Sequence, residues 1–120
     1  MGERKLRYDD VKVGDLAVTG HALAVLGFRM TLQALAGADP SGSEAAVRKL
    51  LGVQHDQHTQ EVGMALMGAE AAATDGEAGA WSAAFLFNRC LTIAGGTSDV
   101  QRNVIAERLL GLPRDPEPGN

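Results

Sequence analysis

The sequence predicts an all-α chain, an antiparallel helical bundle, on three observations. Aromatic residues make up only 4% of 120 residues. Ala, Leu and Gly are abundant, and no run of Val, Ile or Tyr alternates with polar residues as a half-buried strand would. Apolar residues instead recur at helical spacing between Gly, Pro and Ser punctuation.

Residues 1–12 mix charges with Tyr8, Asp9 and Asp10 without a sustained period, and read as an irregular lead-in. From about Val13 to Ala36, Leu16, Leu23, Leu26, Met30 and Leu35 mark a first helix, which Gly37 and Pro40 are placed to stop. Ser41 to Glu44 has capping-box spacing, in which hydroxyl and carboxylate satisfy orphan backbone donors reciprocally. A second helix follows through Val47, Leu50, Leu51, Val62, Leu66 and Met67, ending near Gly68 or Ala73. Two long helices joined by a short turn imply an antiparallel hairpin.

Thr74 to Gly79 reads as a loop, and Trp81 to Leu91 as a shorter apolar helix with Phe85, Leu86 and Phe87. Gly95-Gly96 then precedes a second capping-box spacing, Ser98 to Gln101. The last helix carries Val100, Val104, Ile105 and Leu109 on its apolar face, and Gly111 and Pro113 end it. The organisation is thus a lead-in over 1–12, one helical domain over 13–114 and a disordered tail over 115–120.

Composition excludes several classes. A net charge of −4 with 22% charged residues offers no broad basic face for nucleic acid or an anionic membrane. The single Cys90 makes no intramolecular disulfide, and no apolar run is read as reaching the roughly 18 residues of a spanning helix. The start, Met1 to Leu6, has no signal-peptide core and no myristoylation motif. A soluble, cytoplasmic chain is expected.

The segment with most chemical content is Gly95-Gly96-Thr97-Ser98-Asp99. A diglycine turn at a helix start lets backbone N–H groups and hydroxyls approach a ligand closely, and the helix dipole favours an anion such as phosphate or pyrophosphate. The same pattern is more often only a turn and a cap, and Asp99 repels a bare phosphate. Other side chains have bland readings. His55 and His58 share a helix face, where Asp56 or Glu61 would have to complete a metal clip; a solvated polar stretch explains them without an ion, and no metal is assigned. His21 packs or caps locally. Cys90 is expected as a small core residue, Met30, Met64 and Met67 as core filler, and Trp81 as an anchor of the short helix on the hairpin. Arg89, Arg102 and Arg108 are surface pairs or phosphate contacts.

Residues 91–114, LTIAGGTSDVQRNVIAERLLGLPR, resemble the C-terminal signature of acyl-CoA dehydrogenases, and a looser likeness extends over roughly residues 15–114. The resemblance implies a flavoprotein family that removes hydrogens from Cα and Cβ of an acyl-CoA thioester. A carboxylate takes the α-proton and FAD takes the hydride. It also implies three domains, of which the C-terminal four-helix domain supplies FAD contacts and an oligomer interface. This chain is similar to the later part of that domain alone. Gly96, Thr97, Ser98 and Asp99 match the positions where the family's final helix start touches FAD. Arg89 matches a basic position.

Two departures qualify the resemblance. The base that many members carry immediately before the Gly-Thr of the signature falls here at Gly95, which cannot abstract a proton, so no catalytic residue is assigned. A Gln and Gly-rich turn that meets a neighbouring subunit's flavin falls at Ala65 to Ala71, where only Gly68 survives. The implied partners are a second copy or a catalytic acyl-CoA dehydrogenase subunit, with acyl-CoA bound only in a complete enzyme. The alternative is a stand-alone helical interaction module or a non-catalytic subunit of a heteromeric acyl-CoA dehydrogenase.

Overall fold

The computed structural model describes residues 2–38, 42–114 and 116, with side chains described from residue 11 onward. Four α-helices follow in order: α1 over Gly2–Leu35, α2 over Gly42–Met67, α3 over Gly76–Phe87 and α4 over Ser98–Val104. Tight 3-10 turns extend α2 over Gly68–Ala72 and α3 over Asn88–Thr92, and a wider π-type turn over Ile105–Leu109 extends α4. No strand occurs among the described residues, so the all-α expectation holds.

Several boundaries are corrected. Residues 2–12 belong to α1 and are no irregular lead-in: Glu, Arg, Lys and Leu are good helix formers, and no Pro interrupts them. The expected loop over 74–79 shrinks, because Gly76 enters α3 at φ 63° and the Gly79 N–H donates to the Asp75 carbonyl at 3.0 Å. Gly79 is buried, and a Cβ there would lie 2.5 Å from the Thr74 carbonyl carbon, so glycine permits this tight start. Gly37 does end α1, in the left-handed region at φ 80°. Ser41 of the first capping box lies outside the described residues, as does the tail beyond Arg114 apart from Pro116.

α2 is the axis. Along α1 the contacts run backwards against it: Gly20 meets His55, Gly27 meets Arg48, and Arg29 pairs with Glu44 at 3.9 Å. On another side α3 and α4 form one broken return path. Trp81 lies on Gly63, and Asn88 donates to Asp56 at 3.2 Å and accepts from Gln57 at 3.3 Å. Lys49 then meets the 94–96 turn, and Arg108 lies beside Gly42. The expected hairpin is present, with α2 between α1 and the broken α3–α4 path.

Packing works by setting long side chains on helical glycines. A Cβ on Gly20 would sit 3.2 Å from His55 Nε2, and one on Gly27 3.0 Å from Arg48 Nε. Each glycine costs its helix about 1 kcal/mol relative to Ala, and here the space it leaves holds a neighbour. Trp81 is anchored as expected, with its ring against Gly63.

A single layer of helices buries little. Ala46 and Val62 are the buried apolar side chains among the described residues, while Leu32, Leu66, Leu86, Phe28 and Phe87 are exposed. The accessible surface is 8819 Å². A compact monomer of this mass would expose about 6,200 Å². The core roles expected for Met30, Met64 and Met67 are corrected to half-buried ones, and Cys90 is exposed.

One expectation about length is also overturned. Val11–Leu35, 25 residues, is long and apolar enough to cross a bilayer by length and composition. Ala, Gly and Thr between the aliphatic residues dilute its hydrophobicity without adding charge. One face of this helix nevertheless packs on α2.

The Trp81–Gly63 contact makes a prediction with a definite sign. Gly63→Ala raises helix propensity but drives Cβ to 2.5 Å from the indole. Overpacking should outweigh propensity, giving a net loss of about 1–2 kcal/mol and a melting midpoint lower by roughly 5–10 °C in circular dichroism. A raised midpoint would show that the ring does not rest there.

Candidate functional site

The turn from Ile93 to Gly96 closes by short-range hydrogen bonds. Ile93 and Ala94 N–H both donate to the Cys90 carbonyl, at 3.0 and 2.9 Å, and Gly96 N–H donates to the Ile93 carbonyl at 3.2 Å. Gly95 and Gly96 take φ 69° and 103°, left-handed values that disfavour any side chain. Gly96 is constrained twice, since a Cβ would also fall 2.7 Å from Gln101 Nε2.

Because the two glycines redirect the chain, Thr97 is the last extended residue and the helix cap. Its φ and ψ are −64° and 163°, and its Oγ1 accepts from Val100 N–H at 3.2 Å. The cap expected at Ser98 is thus corrected by one residue. Gln101 still reaches back, but its amide donates to the Gly95 carbonyl at 3.0 Å.

Lys49, about two turns into α2, supplies the rest of the hold. Its ammonium donates to the carbonyls of both Ala94 and Gly96. With Gln101 on Gly95, three successive carbonyls of the turn are taken by side chains from two helices. Beneath lies a cavity of about 10 Å³, lined by Leu50, Val53, Leu91 and Ser98 among others. It is too small for any part of a ligand, so a bound group would meet the turn from outside. Thr97 and Asp99 are exposed on that outer side, and Ser98 is half-buried. Asp99 is paired with Arg102 at 3.0 Å, which offsets the carboxylate's repulsion of an anion, and Lys49 adds positive charge behind the turn.

Gly96, Thr97, Ser98 and Asp99 stand at the turn and at the start of α4, where the sequence pattern expects a helix to begin, and that pattern carries no sign of Lys49. Its partners lie 45 and 47 residues along the chain, and a Lys between Arg48 and Leu50 carries no local sign of them. Gly95 faces the same lysine: a Cβ there would lie 3.5 Å from Lys49 Nζ. Gly68, the surviving glycine of the second flavin-related element, ends α2 at φ 58°. It stands 19 positions from Lys49, about 28 Å along the helix.

The remaining candidates disperse. His55 lies against Gly20, His58 lies 3.7 Å from Glu61, and Asp56 accepts from Asn88. Glu61 holds Arg89 at 3.2 Å, and Arg89 also lies 4.4 Å from the Phe85 ring centroid, so that basic residue braces α3 on α2.

The clamp is testable without any ligand. Lys49→Met strips two carbonyls of their charged donor, and a bond of this kind contributes about 1–2 kcal/mol when partly exposed. Amide exchange at Val100 and Gln101, at the start of α4, is expected to speed up roughly tenfold. Unchanged exchange would show that the turn holds itself.

Comparison with known proteins places this geometry. The family model for the acyl-CoA dehydrogenase C-terminal domain matches residues 10–110, from α1 through the turn to α4. Acyl-CoA dehydrogenase FadE34 of Mycobacterium tuberculosis is 42% identical over 106 residues, covering 86% of this chain and 14% of the relative. Acyl-CoA dehydrogenase IpdE1 of the same organism is 43% identical over 70 residues, 58% of this chain and 18% of the relative. IpdE1 of Mycolicibacterium smegmatis gives the same figures. No solved structure matches. The chain spans less than a fifth of the length of these curated relatives. With a match running through every helix, the chain belongs to the acyl-CoA dehydrogenase family, as its C-terminal helical domain.

Proposed function

We propose that this chain contributes flavin contacts and assembly surface to an acyl-CoA dehydrogenase and does not catalyse alone. The observation that carries the reading is the turn clamped by Lys49 and Gln101, which holds Thr97 and Asp99 exposed, with Gly96 and Ser98 half-buried between them, at a helix start. These residues fit the phosphate portion of FAD: Gly96 admits no side chain, the first N–H groups of a helix lack internal partners, and Lys49 offsets negative charge. FAD, when bound, would supply the hydride acceptor for dehydrogenation of an acyl-CoA thioester. Gly95 offers no proton acceptor, so the base, the acyl pocket and the remaining flavin contacts belong to other domains or to another subunit. The chain's own work is to position the turn and to bind neighbouring surfaces. A cytoplasmic location suits this role.

A second reading is favoured by the loss of the Gln and glycines around Gly68: a helical interaction module that keeps the packing and binds no flavin.

The two readings separate on FAD retention, measured by absorbance at 450 nm on the chain assembled with a subunit that supplies the other two domains. Flavin should co-elute, and Ser98→Ala should weaken retention about five- to tenfold with unchanged helicity, as the loss of one hydroxyl contact does. Assembly without flavin, or retention indifferent to Ser98→Ala, would favour the interaction module.

A further inference from the structure

The peptide units of the diglycine turn can be accounted for one by one. The Ile93 carbonyl accepts from Gly96 N–H at 3.2 Å, and the Gly95 carbonyl accepts from the Gln101 amide at 3.0 Å. The carbonyls of Ala94 and Gly96 both accept from the Lys49 ammonium. Every peptide in the turn is trans, so in each unit the N–H points away from the C=O. One ammonium gathers the Ala94 and Gly96 oxygens to a single point. The N–H groups of the same two units, those of Gly95 and Thr97, are therefore turned together to the opposite side, where they meet no acceptor among the described residues.

Nothing in the local sequence would keep them there. Gly95 and Gly96 take φ 69° and 103°, but glycine enters the left-handed and right-handed regions about equally readily, so the pair has no preference of its own for this arrangement. The order is imposed by α2 through Lys49 and by α4 through Gln101, both half-buried.

The size of the lysine head group matters as much as its charge. A Cβ on Gly95 would stand 3.5 Å from Nζ and 3.8 Å from Cε, so the ammonium already reaches the van der Waals surface of the turn. An ammonium is a point that two carbonyls can share, whereas a guanidinium is a planar fork of fixed width. Arginine at position 49 would keep the charge and lose the convergence.

We propose that Lys49 and Gln101 are positioning residues for the flavin. Neither touches it, and its retention depends on their hold on the Ala94, Gly95 and Gly96 carbonyls, not on the charge of Lys49. This rests on the flavin half of the function proposed above, where the same lysine counts only as positive charge, and adds what gives the site its shape.

The test measures FAD retention, by its visible absorbance, on the full chain assembled with a subunit that supplies the other two domains, for Lys49→Arg, Lys49→Met, Gln101→Met and Gly63→Ala. Both Lys49 variants should weaken retention about tenfold, and Gln101→Met, which removes no charge, about fivefold, with helicity constant. Gly63→Ala, which lowers stability away from the turn, should leave retention at the wild-type level. Retention preserved in Lys49→Arg would assign the effect to charge and overturn the proposal. So would Gln101→Met without effect, or a loss in Gly63→Ala as large as that in Lys49→Met, which would reduce the role to stability. A wild-type assembly that holds no flavin overturns the flavin reading itself and this inference with it, while faster amide exchange in Lys49→Met would still report the clamp.

Discussion

Everything in this structure leans on α2. α1, α3 and α4 each pack on that helix, and among the described residues α1 makes no substantial contact with the other two. A helix with neighbours on two sides can cover only its own flanks and one stripe of each neighbour. Hence two apolar residues are buried among those described, while large side chains such as Phe28, Leu86 and Phe87 stand in solvent. Glycine at 20, 27 and 63 lets long residues lie close to the backbone, which deepens contact within the layer but cannot add a second layer.

The same constraint explains how the diglycine turn is held. In a deeper fold a turn of this kind could be buried under neighbouring elements. Here it is exposed, so its carbonyls are secured by side chains from the helices on either side, Lys49 from α2 and Gln101 from α4. The consequence is that Thr97 and Asp99 have a defined position although they are exposed, with Ser98 half-buried between them. An open surface of fixed shape suits a group presented by another domain or subunit. The lysine also ties this surface to the packing of α2, so a change in how α2 is covered would be felt at the turn.

Much of this was legible in the sequence. Helical periodicity gave α2, the body of α1 and their hairpin, and glycines at 37, 95 and 96 marked where the chain must turn because their φ values exclude side chains. The diglycine and the hydroxyls after it marked the turn and the start of α4. What was not legible required knowing neighbours far along the chain. Lys49 reads as a surface lysine until α4 is placed beside it, and Cys90 reads as core until the depth of the core is known. The first residues misled because a charged stretch without apolar period can still continue a helix, and the loop at 74–79 misled because Gly79 packs on Thr74 instead of breaking the chain.

The central claim, that this domain is one layer of a larger assembly and draws stability from what covers it, can be measured through the concentration dependence of thermal unfolding. Anything that binds the folded chain and not the unfolded one raises stability by mass action, self-association included. Circular dichroism melts across a hundredfold range of chain concentration should show the midpoint climbing by several degrees. A midpoint independent of concentration, in a cooperative transition, would mean that the single layer stands by itself and that the exposed apolar faces carry no stabilising contact.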